Sequence, residues 1–329
     1  MAFPFSMINI AYSCKAYKYF LRIECSDYIA FKSRNMLYFL QNYIKKIHVQ
    51  ERTEPTMKIY HAFPGGRAKA LTMSYDDGKL ADVRLLEIFN RYGIKGTFNL
   101  NYGLMDMDIR LKPEQISRLY QGHEIATHTM THPTIARCPL TQVAKEILED
   151  REGLERITGG LVRGHAYPNG SYNEEIKDLF QKLGIAYARV VEPTEGFELP
   201  TDPMEWHPTC HHNHPRLLEM AQWFVDFPKK QYLKLMYVWG HSYEFDADDN
   251  WDRIEEFCRI VGGREDIWYA TNIEIIDYMQ VLRNLQFTAD CAAVYNPSAH
   301  SAWLSVGDSD TVEVPGGEFV VLKESGHTK

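Results

Sequence analysis

Apolar runs typical of buried strands alternate with amphipathic helical stretches along most of this 329-residue chain. The strand-like runs are residues 70–75, 96–100, 123–127, 162–167, 185–191, 233–239 and 267–270. Such alternation favours parallel strands joined by helices. About seven units without a dinucleotide-binding glycine pattern favour a barrel over an open sheet. The predicted fold class is therefore α/β, a distorted, TIM-like (β/α)7 barrel.

The chain divides into three parts by pattern. Residues 1–56 are rich in Tyr, Phe, Lys and Ile but keep no helical or hairpin phase, so they are predicted to be an atypical extension. They are either an upstream segment before a natural start at Met57 or a helical arm over about residues 35–47. Residues 57–285 are expected to form the barrel. Short strand patterns with glycine turns predict a small β appendage over residues 286–329.

Composition excludes several classes of partner. A net charge of −8 and a pI of about 5.9 argue against nucleic acid or an anionic membrane surface as the main partner. No apolar run reaches about 18 residues, so no transmembrane helix is expected. The six cysteines lack paired spacing, and the N-terminus lacks the basic region of a signal peptide. We therefore predict a cytoplasmic protein, and its oligomeric state is left open.

Polar residues that can bind a metal or move protons follow three of the predicted strands. Asp76 and Asp77 follow the first run, His128 and His132 follow the third, and His241 follows the sixth. Barrel sites are built at the carboxyl ends of strands, so these side chains are expected to meet. Two imidazoles and a carboxylate suit a divalent ion, while a second carboxylate and another imidazole suit a base and an acid. The pattern indicates a metal-dependent hydrolase.

Two motifs resemble those of the polysaccharide deacetylases, the NodB-like carbohydrate esterase family 4. They are Ser74-Tyr75-Asp76-Asp77-Gly78 and His128-Thr129-Met130-Thr131-His132-Pro133. The resemblance implies a divalent ion, most often Zn²⁺ with Co²⁺, Ni²⁺ or Mn²⁺ as alternatives, held by Asp77, His128 and His132. It also implies that Asp76 is the base that activates water. For an isolated motif the alternatives are an Asp-Asp-Gly surface turn or a packed histidine.

Later stretches are similar to the remaining family motifs. In residues 166–172, Tyr167 is expected to give its backbone N–H to the developing oxyanion. The resemblance also implies that Trp206 walls the substrate pocket, that the neighbouring Glu205 orients the acid, and that His241 is that acid. Asp202 is the alternative to Glu205.

Two stretches depart from the family pattern. Many members carry an Arg at the position of Ala166, where it orients the base, and Arg189 near the end of the next strand is the candidate replacement. Arg163 is on the opposite face of its strand and cannot simply take this role. The His-rich run at 207–214 could reach the site or bind a second ion, although a solvated loop cluster is favoured.

The resemblance implies removal of acetyl groups from an N-acetylated carbohydrate, a poly- or oligosaccharide. Two alternatives stay open. One is hydrolysis of another C–N bond or an O-acetyl ester in a small molecule, and the other is glycan binding by a pseudoenzyme. Aromatic residues near the motifs fit sugar stacking and core packing equally well.

Overall fold

Eight parallel strands form one curled sheet. The computed structural model describes residues 58–307 and 310–322, so the predicted extension over 1–56 lies outside the described residues. The strands of the sheet are β2 (Lys69–Asp76), β3 (Gly96–Leu100), β4 (Glu124–Thr127), β5 (Gly164–Ala166), β6 (Tyr187–Arg189), β7 (Cys210–His211), β8 (Lys234–Gly240) and β9 (Ile267–Tyr269). Along the sheet the order is β6-β5-β4-β3-β2-β8-β7, and β9 pairs with the start of β2. The predicted α/β barrel class is confirmed.

Strand β2 lies at the centre of the sheet and is buried along its whole length. Its first half pairs with β9 and its second half with β3, while β8 runs along its other edge. Burial on both faces explains why β2 reads as a continuous apolar run rather than an alternating one. Strand β7 was not predicted, since its two residues are too short to leave a pattern.

One segment of chain joins the two edges of the sheet. The backbone N–H of Trp206 donates to Ala188 at 3.0 Å, and its carbonyl accepts from Val190 at 3.1 Å, which extends β6. Three residues later, the N–H of Thr209 donates to Tyr237 of β8 at 2.8 Å. The sheet therefore curls into a barrel, and this segment bridges the two edges of the sheet.

Eight α-helices lie among these strands in the described residues. They are α1 (Asp82–Tyr92), α2 (Pro113–Leu119), α3 (Leu140–Thr158), α4 (Glu174–Lys182), α5 (Leu217–Asp226), α6 (Glu244–Ala247), α7 (Trp251–Val261) and α8 (Asn272–Asn284). In α1 the buried residues Leu85, Ile88 and Phe89 share one face, as the helical period requires. Gly93 ends that helix with a φ of 66°, a conformation that glycine adopts without strain.

Short antiparallel strands complete the described fold. Strands β10 (Gln286–Phe287), β11 (Ala293–Tyr295) and β14 (Phe319–Val321) form one sheet, and β1 (Ile59–Ala62), β12 (Ala302–Val306) and β13 (Asp310–Val314) form another. Their buried side chains pack with Ala70 and Leu235, near the starts of β2 and β8. They therefore cover the end of the barrel opposite to the carboxyl ends of its strands. The domain boundaries stay a prediction.

The described helices and cysteines each show one further feature. Among the described residues, no helix is both long and apolar enough to span a membrane. The four described cysteines, Cys138, Cys210, Cys258 and Cys291, are all free thiols.

Candidate active site

The predicted site residues converge at the carboxyl ends of the barrel strands. Asp76 is the last residue of β2 and Arg189 the last residue of β6, while His128 and His241 follow β4 and β8 directly. Because parallel strands end at the same edge of the sheet, residues far apart in sequence become neighbours there. Asp77 and His132 lie in the loops just beyond.

Asp76 lies at the centre of this group. Its Oδ1 accepts a hydrogen bond from the side-chain amide of Asn99, its register partner on β3, at 2.7 Å. Its Oδ2 pairs with the guanidinium of Arg189 and lies 3.9 Å from Nε2 of both His128 and His241. Burial would raise the pKa of Asp76, but the Arg189 charge beside it lowers the pKa to about 2. The carboxylate is therefore ionised at neutral pH.

Arg189 is fully buried and contacts the predicted base directly. Its Nη2 donates to Asp76, and its guanidinium lies 4.3 Å from the centre of the Trp239 ring. Arg163, the other arginine considered for this position, instead forms an ion pair with Asp277 at the surface. Of the two, Arg189 is the residue placed to orient Asp76.

The three predicted metal ligands lie together. A carboxylate oxygen of Asp77 and one ring nitrogen each of His128 and His132 are all within 4.8 Å of one another. Nδ1 of His128 lies 2.7 Å from the carbonyl oxygen of Ala166, which can only accept, so Nδ1 carries the proton and Nε2 keeps its lone pair. Burial also lowers the pKa of His128 to about 4, which keeps the imidazole neutral. This donor set fits a divalent transition-metal ion.

The backbone turns sharply at these residues. Asp77, Thr129 and His132 have φ values of 82°, 66° and 60°, in the left-handed region that non-glycine residues rarely adopt. His128 and His132 therefore lie in a loop and not on a helical face, and their ring centroids are 4.7 Å apart. The same strain at Asp77 aims consecutive carboxylates at one site, although neighbours on a regular strand face opposite sides.

Several supporting residues were not predicted. Arg110 donates to the backbone carbonyl of Asp77, and its Nη2 lies 3.4 Å from that residue's carboxylate. The amide of Asn101 donates to the carbonyls of His128 and Thr129 at 2.6 and 2.8 Å, and its oxygen accepts from Arg110 at 2.9 Å. These two side chains tie the Asp77 turn to the histidine loop. Each lies beyond a motif, where a lone Asn or Arg carries no sequence signal.

The acid candidate has a different carboxylate partner from the predicted one. Nδ1 of His241 lies 3.0 Å from Oε1 of Glu244, one turn later in the chain. Glu205, which was expected to orient His241, instead pairs with Lys177 at 2.7 Å, and Asp202 pairs with the same lysine at 2.8 Å. Burial lowers the pKa of His241, but the hydrogen bond to Glu244 and nearby carboxylates outweigh it and raise the pKa overall. The protonated form of this imidazole is thus more favourable than in a free histidine.

Two other predicted roles do not agree with the observed contacts. The backbone N–H of Tyr167 donates to the carbonyl of Arg189 at 3.0 Å, because it extends the ladder between β5 and β6. It is thus already engaged and is not free to bind an oxyanion. Trp206 is only 1% exposed and packs edge-on against Tyr187 and Tyr237. It belongs to the core and lines a small pocket beside Glu205 and Tyr237, whose lining includes none of Asp76, Asp77, His128, His132 and His241.

Part of the chain matches a known protein family. Residues 64–188 match the family model described as polysaccharide deacetylase. This confirms the family resemblance. The match spans Asp76, Asp77, His128 and His132 but ends before Arg189 and His241.

The relatives are distant. A chitooligosaccharide deacetylase from Bradyrhizobium sp. (strain ANU 289) is 26% identical over 122 residues, which cover 36% of this chain and 54% of that protein. A peptidoglycan-N-acetylglucosamine deacetylase from Bacillus cereus is 28% identical over 142 residues, 40% of this chain and 50% of that one. The chain thus spans about half the length of the curated relatives that it matches.

A solved structure supports the barrel fold. It is a Mycobacterium smegmatis protein assigned provisionally to the polysaccharide deacetylases, with a TM-score of 0.52 and 17% identity. The alignment covers 68% of this chain and 93% of that protein. At this identity the likeness establishes the barrel architecture, while the chemistry must be argued from the site residues.

Proposed function

We propose that this protein is a metal-dependent hydrolase that removes acetyl groups from an N-acetylated carbohydrate. The observation that carries the proposal is the position of Asp76. Its ionised carboxylate lies 3.9 Å from a neutral metal-ligand candidate, His128, and 3.9 Å from the acid candidate, His241. A base, an acid and an ion-binding group thus surround one point, as hydrolysis of an amide requires.

Asp76 is the proposed general base. Arg189 and Asn99 fix its two oxygens, so the carboxylate has a defined direction and stays ionised. It accepts a proton from the attacking water. Held by Asp77, His128 and His132, a divalent ion would act as a Lewis acid that lowers the pKa of water and polarises the acetyl carbonyl, so a weak base suffices.

His241 is the proposed general acid. Since Glu244 accepts from Nδ1, Nε2 is the ring nitrogen that faces Asp76 and the reacting group. Nε2 donates its proton to the departing nitrogen, which would otherwise leave as an unstable amide anion. The carboxylate of Glu244 stabilises the imidazolium before this transfer.

The substrate class rests on the relatives. The matched proteins are named for chitooligosaccharides and for peptidoglycan N-acetylglucosamine, so an N-acetylglucosamine-containing glycan is the proposed substrate. No contact in the described residues selects a chain length.

Acetate release tests the proposal. Protein loaded with Zn²⁺ would be incubated with N-acetylated chitooligosaccharides and, separately, with O-acetylated oligosaccharides, each with and without a chelator. We expect chelator-sensitive release that is faster on the N-acetylated substrates. Faster release from the O-acetyl esters would change the substrate class. Glycan binding without any release from protein that holds its ion would indicate a pseudoenzyme.

A further inference from the structure

A second group of metal-binding side chain types lies beside His241. His211 ends β7 and His212 follows it, while Glu244 begins α6. Ligand atoms of these three residues all lie within 4.8 Å of one another. The histidines belong to the 207–214 run that the family pattern does not account for. None of the three belongs to the first group formed by Asp77, His128 and His132.

Both histidines lie close to one carboxylate oxygen of Glu244. Nε2 of His211 and Nε2 of His212 lie 3.1 and 3.0 Å from the same oxygen, Oε2 of Glu244. Within the described residues, neither that oxygen nor either ring nitrogen of His212 makes a well-formed hydrogen bond. Ligand atoms that lie about 2.1 Å from a tetrahedral ion are about 3.4 Å apart, close to these distances. Small movements of the side chains would therefore suffice for an ion to bind between them.

The side chain of His212 is fully buried. Its ring is stacked on Phe245 with centroids 4.1 Å apart and on Tyr75 with centroids 5.6 Å apart. A Cβ on Gly240 would overlap with Nδ1 of this ring, so the glycine leaves the space in which the ring lies. Burying a ring nitrogen without a well-formed hydrogen bond is costly. An ion bound at Nε2 would satisfy that nitrogen.

We propose that His211, His212 and Glu244 form a second divalent metal site, separate from the one at Asp77, His128 and His132. Two imidazoles and one carboxylate are a ligand set typical of Zn²⁺ and similar transition-metal ions, with further positions open to water. Nδ1 of His211 accepts the backbone N–H of Asn213 at 3.1 Å, so ligation through Nε2 moves the ring proton to Nδ1 and ends that bond. One local hydrogen bond is a small loss beside three ligand bonds.

The second ion would act on the acid through Glu244. Oε2 of this carboxylate faces His211 and His212, whereas Oε1 faces Nδ1 of His241. A carboxylate fixed by an ion on one side orients the imidazole on its other side. The metal site does not rest on the proposed function, since bound ions can be counted on protein that turns nothing over.

Metal stoichiometry tests the second site. Chelated protein would be reloaded with Zn²⁺, desalted and measured by mass spectrometry for zinc per chain. We expect two ions for the wild type. The first-site variant, Asp77→Ala with His132→Ala, should keep one ion, and the second-site variant, His211→Ala with Glu244→Gln, should also keep one. His207→Ala, a matched change in the same histidine run, should keep two.

Further measurements make each outcome decisive. Circular dichroism would confirm that each variant is folded, and the second-site variant avoids the buried His212 for that reason. With Co²⁺ in place of Zn²⁺, the first-site variant and the second-site variant should each show the visible absorption of one bound ion, and the wild type should show about the sum of the two. One ion in the wild type and none in the first-site variant would overturn the proposal, leaving an imidazole–carboxylate contact without metal. Two ions retained by the second-site variant would overturn it as well.

Discussion

Replacing Arg189 tests whether the buried ion pair at the centre of the site has been identified correctly. The side chains of Arg189 and Asp76 are 0% and 3% exposed. Removing one partner of such a pair leaves an uncompensated buried charge, which costs about 3–5 kcal/mol. Arg189→Met keeps most of the side-chain length and should therefore lower the free energy of unfolding by about that amount.

Arg163→Met is the matched control. Arg163 pairs with Asp277, and their side chains are 35% and 46% exposed. A surface pair of this kind contributes about 0.2–1 kcal/mol, so this variant should remain close to the wild type in stability. Both variants would be unfolded in urea and followed by circular dichroism, with the slope checked for a common value.

A double variant isolates the interaction itself. Arg189→Met combined with Asp76→Asn removes both charges, so its cost should fall at least about 1 kcal/mol short of the sum of the single variants. Two results would refute the reasoning. One is a loss for Arg189→Met no larger than for Arg163→Met, and the other is strict additivity in the double variant.

Two further predictions concern buried positions. Gly240→Ala would place a methyl group against the His212 ring and should lower the free energy of unfolding by about 1–3 kcal/mol. Gly160→Ala, with no atom within 4 Å of its Cβ, should change the free energy of unfolding by less than about 0.5 kcal/mol. Equal effects of the two variants in urea unfolding would contradict the packing. Burial raises the pKa of Glu124 from 4.5 to about 7. The folded protein thus keeps a proton that the unfolded chain releases, and stability should fall as pH rises through this window. Glu124→Gln should flatten that fall, and an unchanged slope between about pH 5 and pH 7 would refute the assignment.

The parts of the fold with strong local patterns could be predicted from sequence. Strand β2 contains the apolar run predicted at residues 70–75, and α1, with its apolar residues on one face, is one of the amphipathic helices expected between the strands. Strand β7 left no pattern because only Cys210 and His211 form it. Its neighbour relation to β8 depends on the curl of the whole sheet, which no local period encodes.

The site residues also divide into those that a sequence pattern marked and those that it did not. The motifs marked Asp76 and His128, and a position near the end of the next strand marked Arg189 as a replacement for the missing arginine. Glu244 was missed, since an acidic residue at the start of a short helix resembles any solvated glutamate. Glu205 was preferred as the residue that orients the acid through family analogy, but its carboxylate pairs with Lys177 of α4. The partner of Glu205 thus depends on a contact between elements that are distant in sequence.

The measurement that tests the central claim most directly is a comparison of Asp76→Asn with the wild type, scored for both bound Zn²⁺ and acetate release from an N-acetylated chitooligosaccharide. If Asp76 is the base and Asp77, His128 and His132 hold the ion, the variant should keep its zinc and lose at least about 100-fold in turnover. Full turnover by the zinc-loaded variant would contradict the account.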